Sequence, residues 1–338
     1  MGEGPVLVTG AAGFIGFHVA VRLLGAGIPV VGLDNLNPYY DPALKETRRD
    51  RLLQHNRMAF ETEDLADRAA IERVFDTHRP SHTVHLAAQA GVRHSLTHPQ
   101  DYVDANITGF LNILEACRHQ GTRHLVYASS SSVYGGNARL PFSVNDSVDH
   151  PVSLYAASKK ANELMAHSYA HLFEVPSTGL RFFTVYGPWG RPDMAAYIFV
   201  RAMFAGEPFR LFNHGNMVRD FTYIDDIVEG VVRLIPEPPG ADPDFDRQSP
   251  NPASSWAPHR VFNIGNDRGE KLTDMVAHLE ALTERKAIIE LVEMQPGDVT
   301  ETWADVAALE AAVGFRPATP LREGLARFVA WYRDYHGV

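Results

Sequence analysis

Length, composition and charge exclude several classes of protein. The chain has 338 residues, of which 45% are hydrophobic and 21% charged, so it can form one large or two moderate globular domains. Its formal net charge of −10, without a cluster of Lys or Arg, excludes the basic surface that DNA or RNA binding requires.

Cysteine content, apolar runs and histidine spacing bear on the cellular location, on metal binding and on possible partners. The single cysteine, Cys117, cannot close an intrachain disulfide, so we expect the protein in a reducing compartment. We expect the Cys117 side chain to be buried and to pack as a small hydrophobic group. No apolar run reaches the roughly 20 residues of a membrane span, and the N-terminus leads straight into a strand. The 16 histidines form no HExxH motif and no Cys/His pair at ligand spacing. We therefore expect a cytoplasmic protein without a metal site, a membrane partner or a nucleic-acid partner.

The first half of the chain alternates strand-like and helix-like segments. Five short apolar runs predict buried strands: PVLVTG, PVVGLDN, HTVHLAA, HLVYASS and STGLRFF. Amphipathic stretches predict helices between them, such as FIGFHVAVRLLGAG, DRAAIERVFDTH, ITGFLNILEACRHQG and AASKKANELMAHSYAHLF. This alternation predicts an α/β fold, a doubly wound parallel sheet of the Rossmann type with helices on both faces.

The pattern changes after about residue 187, where prolines interrupt it and mixed strands and helices follow. We predict a nucleotide-binding Rossmann domain over residues 1–186 and a smaller mixed α/β substrate domain over residues 187–338. The two are interleaved, because later segments near 220–235 and 260–265 are expected to return to the first. Seven prolines within residues 236–259 predict a long exposed loop.

The segment VLVTGAAGFIG predicts a phosphate-binding turn. Gly10, Gly13 and Gly16 follow an apolar strand and open a helix, where glycine permits close approach of backbone N–H groups to a pyrophosphate. The spacing alone, GxxGxxG, would equally suit a plain tight turn. Asp34, 18 residues after Gly16 at the end of the second strand, adds a carboxylate that can bind an adenosine ribose and would repel a 2′-phosphate. Together these features predict NAD rather than NADP.

Further residues near the predicted strand ends extend the cofactor site. Asp64 and Leu65, after a third strand, are expected to frame the adenine, while the small residues Ala87 and Ala88, with Gln89, lie where a flat cofactor would rest. The remaining predicted cofactor contacts at strand ends and helix starts are Phe14, Ile15, Asn35, Ala128, Phe182 and Val185.

The segment YAASKK carries the predicted acid–base pair. Tyr155 and Lys159 stand at positions i and i+4 of a predicted helix, so both side chains face one side. A lysine ammonium near a phenol favours the phenolate, so we expect Lys159 to lower the pKa of Tyr155. Taken alone, the pair is also common on the surface of ordinary helices.

Combined, these motifs resemble the extended short-chain dehydrogenase/reductase family and, within it, the NAD-dependent nucleotide-sugar epimerases. The resemblance runs nearly end to end, through GAAGFIG, DNLNPYYDPALKETR, LAAQAGVRHSL, SSSSVYGGN, YAASKKANE, LRFFTVYGPWGRPDMA, RDFTYIDDIVEG and VFNIGN. The segments DNLNPYYD and GPWGRPDMA are the more specific ones, since the glycine and YxxxK motifs identify only the superfamily.

The resemblance implies a reaction and assigns roles in it. The expected activity is C4 epimerisation of a UDP-hexuronic acid through a transient 4-keto sugar, which interconverts UDP-glucuronate and UDP-galacturonate with tightly bound, regenerated NAD. Tyr155 would be the acid/base at the sugar O4, and Lys159 would hold the cofactor ribose. Ser130, at the carboxyl end of the fourth of the five runs, would assist proton transfer, and Asn106, counted with the cofactor residues, would be a polar support of the site.

The serine run distinguishes reactions within the family. Related dehydratases and decarboxylases carry carboxylates just before VYG, where this chain has Ser131 and Ser132, of which Ser132 is counted with the catalytic residues. UDP-glucose 4-epimerases typically carry Asn where this chain has Thr184. Neutral hydroxyls at these positions would hydrogen-bond a C6 carboxylate without a tight ion pair. A UDP-glucose 4-epimerase, a UDP-glucuronate decarboxylase and a non-enzymatic nucleotide-binding scaffold stay open as alternatives.

The resemblance also implies contacts for the rest of the substrate. Three arginines are expected to bind the substrate: Arg93, Arg191 and Arg219, whose positive charges would bind its diphosphate. Asp298 in QPGD is expected near the uridine ribose. Many relatives carry Arg where this chain has Gln295.

The resemblance further predicts a homodimer. Members of the family usually dimerise through two helices of each subunit, here near Asn106–His119 and Ala156–Leu172. The apolar stripe on the second helix could equally be intrachain core.

Overall fold

A computed structural model describes residues 4–295 and 297–338 and shows the alternation of strands and helices that the sequence predicts. The strands are β1 (Val6–Thr9), β2 (Val30–Leu33), β3 (Met58–Glu61), β4 (His82–His85), β5 (His124–Ser130), β6 (Ser177–Phe182), β7 (Thr184–Tyr186), β8 (Pro208–Leu211), β9 (Val218–Arg219), β10 (Phe221–Tyr223), β11 (His259–Ile264), β12 (Glu270–Lys271), β13 (Ile288–Leu291) and β14 (Glu301–Thr302).

The helices cover both faces of the main sheet and the edge where its strands end. They are α1 (Phe14–Gly25), α2 (Pro42–Leu52), α3 (Arg68–His78), α4 (Pro99–Tyr102), α5 (Gly109–Gln120), α6 (Leu154–Phe173), α7 (Ala195–Ala205), α8 (Ile224–Leu234), α9 (Leu272–Thr283), α10 (Ala307–Val313) and α11 (Leu321–His336). A π-helical turn over Val103–Thr108 joins α4 to α5, and a 3-10 turn over Ser131–Tyr134 follows β5. None of the described helices is long and apolar enough to cross a membrane.

A seven-stranded parallel sheet forms the centre, in the order β11-β6-β5-β4-β1-β2-β3. The strand order reverses between β1 and β4, and open α/β sheets bind ligands at the carboxyl ends of the strands beside such a reversal. The fold class is therefore the predicted doubly wound α/β sheet.

Alternating side chains of the central strands build a core on each face of this sheet. Val6 and Val8 of β1 pack into one hydrophobic cluster, and Leu7 between them packs into the other. Cys117 is fully buried in the second cluster and acts as the small hydrophobe that the sequence predicts. Because side chains and helices pack on both faces of the sheet, a cavity is expected at the ends of the strands.

The second half of the chain contributes both to the main sheet and to three small ones. Strand β11 pairs with β6 at the edge of the main sheet, and α8 packs against α1. The small sheets are β7 with β10, β9 with β12 and β14, and β8 with β13. The division into domains over 1–186 and 187–338 stays a prediction.

Two elements are missing from the five quoted apolar runs and the quoted helices, although a strand before Asp64 was expected. Strand β3 lies at the edge of the sheet and is only half-buried, so its apolar signal is weak; it makes the serine run the end of the fifth strand, not the fourth. Helix α2 begins within DNLNPYYDPALKETR, where Asp41 caps the Ala43 N–H at 3.0 Å and Pro42 occupies the first turn. This cap and proline are signals that could have located it.

The predicted exposed loop over 236–259 is correct in its first part only. Residues 236–252 are mostly exposed, but Ala253, Ser255 and Ala257 are buried, and His259 already begins β11. The Ser255 hydroxyl lies 2.8 Å from Nε2 of His167 on α6, which ties this stretch to the helix. The prediction failed because the many prolines indicated a loop, although every second residue from Ala253 to Ala257 is small and buried.

Candidate active site

A cavity of about 1170 Å³ opens at the carboxyl ends of the central strands. Its walls come from the glycine turn, the ends of β2, β4 and β5, the start of α6 and loops of the second half. Every residue predicted for the site lines this cavity except Asn106. The size exceeds that of ordinary small-molecule pockets and suits two ligands side by side.

The glycine turn is too tight to hold side chains. Gly10 has φ +70°, and a Cβ there would lie 2.8 Å from the Ala87 nitrogen. A Cβ on Gly16 would lie 2.1 Å from the Gly10 carbonyl oxygen. Gly13 is the N-cap of α1, so the unpaired N–H groups of the first helical turn face the cavity. The turn therefore forms a cradle that fits a diphosphate.

Asp34 is held against this turn at the end of β2. Its Oδ2 accepts a hydrogen bond from the Ala12 N–H at 3.1 Å, and its Oδ1 accepts one from Leu36 at 2.9 Å. The side chain is 7% exposed and lines the cavity, so the carboxylate is fixed where a ribose diol can donate to it. Phe14 and Ile15 line the opposite side of the turn.

Asn35 and Asp64 connect the ends of β2 and β3. The Asn35 amide donates to Asp64 Oδ2 at 2.8 Å, and Asp64 Oδ1 accepts from the Ala66 N–H at 2.8 Å. Leu65 is buried, with its carbonyl oxygen bonded to Asn112 at 2.7 Å. This end of the cavity is thus a rigid wall of apolar and amide groups, as an adenine site requires.

The floor of the cavity rests on Thr9 and His85, which the sequence did not single out. The Thr9 hydroxyl accepts the N–H groups of Leu86 and Ala87 at 3.2 and 3.1 Å and lies 2.9 Å from His85 Nδ1. Burial lowers the pKa of His85 to about 3, so its ring is neutral and the hydroxyl donates to it. Ala87 and Ala88 are held flat in consequence.

Asn106 supports the floor from behind. It is 1% exposed, and its side chain accepts from the Gln89 N–H at 2.8 Å and donates to the Gln89 carbonyl at 3.0 Å. The same amide donates to Ser158 Oγ on α6 at 3.0 Å. Asn106 therefore holds Gln89 in the wall without lining the cavity itself, and its place among the cofactor residues stays a prediction.

Tyr155 and Lys159 project from the first turns of α6, whose N-cap Ser153 accepts the Ala156 N–H at 3.1 Å. The Lys159 ammonium donates to the Ala128 carbonyl at 2.9 Å, and burial lowers its pKa to about 8. Both side chains line the cavity, on one face of the helix as the i, i+4 spacing predicts.

The pKa of Tyr155 is raised in this structure, and the lowering by Lys159 stays a prediction. Burial raises the pKa of Tyr155, while contact with the Ser130 hydroxyl and the charge of Arg191 act in the opposite direction. The Lys159 ammonium is directed at the Ala128 carbonyl. The phenol therefore stays protonated at neutral pH until another positive charge lies beside it.

Hydroxyl groups line the cavity together with this phenol, and Ser130 contacts it. Ser130 Oγ lies 3.1 Å from Ser132 Oγ and accepts the Ser132 N–H at 3.1 Å, which caps the 3-10 turn after β5. Ser131, Ser132 and Thr184 are half-buried and line the same cavity. The chain thus brings four neutral hydroxyls into the cavity.

Arg191 lies at the same end as Tyr155. Its guanidinium pairs with Asp193 through contacts of 3.0 and 2.5 Å, and the Tyr39 hydroxyl donates to Asp193 at 3.1 Å. Its charge lowers the pKa of Tyr155, and its contact with the substrate stays a prediction. The sequence did not single out Tyr39 or Asp193, although both lie in the two most specific segments of the resemblance.

Three other predicted substrate residues meet at a second end of the cavity. Arg93 lies 3.4 Å from the Asp298 carboxylate and 4.2 Å above the Phe212 ring. Arg219 donates to the Val299 carbonyl at 2.6 Å, and burial lowers its pKa while the Asp298 charge raises it. Two cations, one carboxylate and an aromatic ring suit a nucleotide diphosphate with its ribose and base.

The arrangement can hold a dinucleotide beside a hydroxylated ligand. The glycine cradle and Asp34 fit NAD, and Ala87 and Ala88 allow a flat ring to approach the Tyr155 phenol. A buried phenol beside Ser130 can exchange a proton with an alcohol as the adjacent carbon is oxidised.

Comparison with known proteins points to the same chemistry. The profile of the NAD dependent epimerase/dehydratase family matches residues 6–265. A protein of Rhizobium meliloti (strain 1021) named "Probable UDP-glucuronate 4-epimerase" is 50% identical over 330 residues, with 96% of each chain covered.

Two solved structures share the whole fold. The UDP-glucuronic acid 4-epimerase from Bacillus cereus, in complex with UDP-glucuronic acid and NAD, is 31% identical with a TM-score of 0.85, covering 98% of this chain and 99% of that one. The UDP-glucose 4-epimerase of Thermotoga maritima, with UDP-glucose, is 29% identical with a TM-score of 0.84 and the same coverage. The chain therefore belongs to the NAD dependent epimerase/dehydratase family.

Proposed function

We propose that the protein interconverts UDP-glucuronate and UDP-galacturonate by inverting the configuration at C4, with NAD as a resident cofactor. The observation that carries this proposal is the set of neutral hydroxyls, Ser131, Ser132 and Thr184, in the cavity that Tyr155 also lines. The relatives from R. meliloti and B. cereus, which carry this activity in their names, support it.

The first half of the chain holds the cofactor in this proposal. Gly10, Gly13 and Gly16 bind its diphosphate, Asp34 binds the adenosine ribose, and Lys159 binds the nicotinamide ribose. NAD, when bound, takes up the C4 hydride of the sugar and later returns it to the opposite face of C4. Because the residues that hold it lie in a buried cavity, the cofactor stays bound through the cycle.

Tyr155 and Ser130 move the proton at O4. The phenolate of Tyr155 takes the O4 proton while the C4–O4 bond gains double-bond character, and the resulting phenol gives the proton back when the hydroxyl re-forms. Ser130 donates a hydrogen bond to O4 and fixes its orientation. The buried phenol needs positive charge nearby to ionise, and Arg191 supplies part of it.

The nucleotide end acts as a pivot. Arg93, Arg219 and Asp298 hold the UDP group while the 4-keto sugar turns between Tyr155 and the hydroxyl residues. Hydroxyls hydrogen-bond the C6 carboxylate without clamping it, so the ring can present either face of C4. A clamped β-keto acid would lose CO₂ more readily, and the absence of a carboxylate side chain at positions 131 and 132 speaks against an acid/base group for decarboxylation.

UDP-glucose 4-epimerisation is the second candidate, favoured by the likeness to the T. maritima enzyme. The two are separated by incubating purified protein with UDP-glucuronate or UDP-glucose at equal concentration, without added cofactor, and resolving the products by chromatography. We expect UDP-galacturonate from the first and little product from the second. UDP-xylose, or no conversion of UDP-glucuronate, would overturn the proposal.

We also infer a cytoplasmic homodimer. Support for the dimer comes from apolar side chains exposed on two neighbouring helices, with Leu111 of α5 at 40%, and Leu164 and Leu172 of α6 at 58% and 65%. A second copy that packs against these helices would remove them from water. The cytoplasmic location follows from the buried, unpaired Cys117 and stays a prediction.

A further inference from the structure

A buried ion pair that no step above uses lies directly behind the reacting groups. Glu163 of α6 is 4% exposed on its side chain and Arg181 of β6 is 0% exposed. Arg181 binds both carboxylate oxygens, from Nε at 2.8 Å and from a terminal nitrogen at 2.9 Å. Burial opposes ionisation of Glu163, yet the Arg181 guanidinium holds the pKa of its carboxyl below the ordinary value. The pair is therefore ionised inside the protein.

Glu163 stands on the face of α6 that carries Tyr155 and Lys159. The three residues are spaced by four, so they follow each other along one side of the helix. The Glu163 carboxylate also accepts a hydrogen bond from Ser129 Oγ at 2.7 Å, and Ser129 immediately precedes Ser130. Ser129 and Arg181 are paired neighbours in β5 and β6. One carboxylate thus joins the catalytic helix to two strands, next to Ser130.

The hydrogen bonds continue from Arg181 toward the substrate side. Arg181 donates to the Tyr134 hydroxyl at 3.0 Å, and that hydroxyl donates to Asn263 at 2.7 Å. The Asn263 amide donates to the carbonyls of Phe142 and Asp305 at 2.7 and 3.1 Å. The network therefore connects α6 to the turn after the serine run and to a segment of the second half of the chain.

A buried ion pair is a poor source of stability, because desolvation of the two charges offsets most of their attraction. An apolar pair of the same size would pack as well, but it could slide along the helix axis. A two-pronged guanidinium–carboxylate contact has fixed distances and directions, so it sets the axial position of α6 against β5 and β6. Misplacement by about 1 Å costs up to about a hundredfold in rate.

We propose that Glu163 and Arg181, with Ser129, are positioning residues that set the distance between Tyr155 on α6 and Ser130 on β5. The proposal rests on the proposed function, since it needs Tyr155 and Ser130 to act on the same hydroxyl. It assigns the pair to turnover and not to binding, because neither side chain of the ion pair lines the cavity.

Ser129→Ala tests the proposal with the least disturbance, because it removes one hydroxyl and leaves the ion pair in place. Ser177→Ala is the matched control, since Ser177 is an equally buried serine at the opposite end of β6 whose hydroxyl has no partner. We expect Ser129→Ala to lower kcat by about three- to tenfold with KM and NAD content unchanged. The control keeps the kcat of the wild type.

The double variant Glu163→Leu with Arg181→Met removes both charges of the pair; the Lys160 ammonium, 3.6 Å from Glu163, loses a partner but is 19% exposed and can be hydrated. We expect a melting temperature close to that of the wild type, an unchanged KM and a kcat lowered about ten- to a hundredfold. If this variant does not fold, Ser129→Ala decides alone. Wild-type kcat in Ser129→Ala, or in a folded double variant, would overturn the proposal; failure of the wild type to convert UDP-glucuronate would instead overturn the proposed function.

Discussion

Tyr155 lies where burial keeps its phenol neutral and where a small added positive charge changes its ionisation. Tyr155→Phe removes only the hydroxyl, so we expect kcat for epimerisation to fall by about 10²–10⁴ with bound NAD retained. Tyr169→Phe, farther along α6, is the control, because its hydroxyl bonds Glu115 outside the cavity. Product chromatography measures both, and a Tyr155→Phe enzyme with kcat near that of the wild type would refute the role.

The buried ammonium of Lys159 lowers the free energy of unfolding of the protein. Burial lowers its pKa from 10.5 to about 8, which corresponds to a cost of about 3 kcal/mol at neutral pH. Below pH 8 the folded and unfolded chains both hold the proton, and the cost is constant. Between about pH 8 and 10.5 only the unfolded chain keeps the proton, so rising pH stabilises the wild type relative to a variant without the amine.

Lys159→Met should therefore unfold at a higher urea concentration than the wild type at pH 7, when both are free of NAD. The difference should narrow as the pH rises toward about 10. Lys286→Met is the control, because Lys286 is 89% exposed and should show no such trend. A difference that does not change with pH would show that Lys159 is not desolvated as described.

Thr184 is the residue on which the choice between hexuronate and hexose is expected to depend. Thr184→Asn introduces the residue typical of UDP-glucose 4-epimerases, replacing a hydroxyl that is proposed to bind the C6 carboxylate by a longer amide. We expect the ratio of kcat/KM for UDP-glucuronate to that for UDP-glucose to fall by about tenfold, the effect of one hydrogen bond to a charged group. An unchanged ratio would remove Thr184 from the account of specificity.

Helices α5 and α6 are the elements on which the proposed dimer would depend. Leu164→Glu with Leu172→Glu places two charges on the exposed apolar face of α6, so we expect sedimentation to show a shift from dimer to monomer. Leu291→Glu on β13 is the control, because Leu291 is also exposed, at 59%, but lies on another element. A monomeric wild type, or a double variant that stays dimeric, would contradict the inferred interface.

Elements with a local signal were predictable from the sequence. The glycine turn and α6 follow from short motifs, and the alternation of apolar runs predicts the parallel sheet. Edge strand β3 was not among the apolar runs, because a half-buried strand lacks a continuous apolar run. The buried stretch 253–259 escaped because its packing partner, α6, lies far away in sequence.

The parts of the site that the motifs did not predict depend on contacts between residues far apart in the sequence. Tyr39 and Asp193 are 154 residues apart, and neither belongs to a general motif. The pKa of Tyr155 depends on the depth of its burial, which YxxxK spacing does not encode. Local spacing thus predicted which groups lie together, while their electrostatics required the packed structure.

In the proposed mechanism, the first half of the chain holds the cofactor, and Arg219 and Asp298 of the second half, with Arg93 of the first, hold the nucleotide. In this account, the sugar is oxidised and reduced at C4 without leaving the cavity and without net change of the cofactor. Atoms removed from C4 therefore return to C4 of the same sugar, and the solvent takes no part.

UDP-glucuronate labelled with deuterium at C4 tests this claim most directly. The labelled substrate is incubated with purified protein, without added cofactor, and the product is analysed by mass spectrometry and NMR. We expect UDP-galacturonate with the deuterium retained at C4 and no label in the solvent. UDP-galacturonate that has lost its deuterium to water, or a UDP-pentose formed with release of CO₂, would contradict the account.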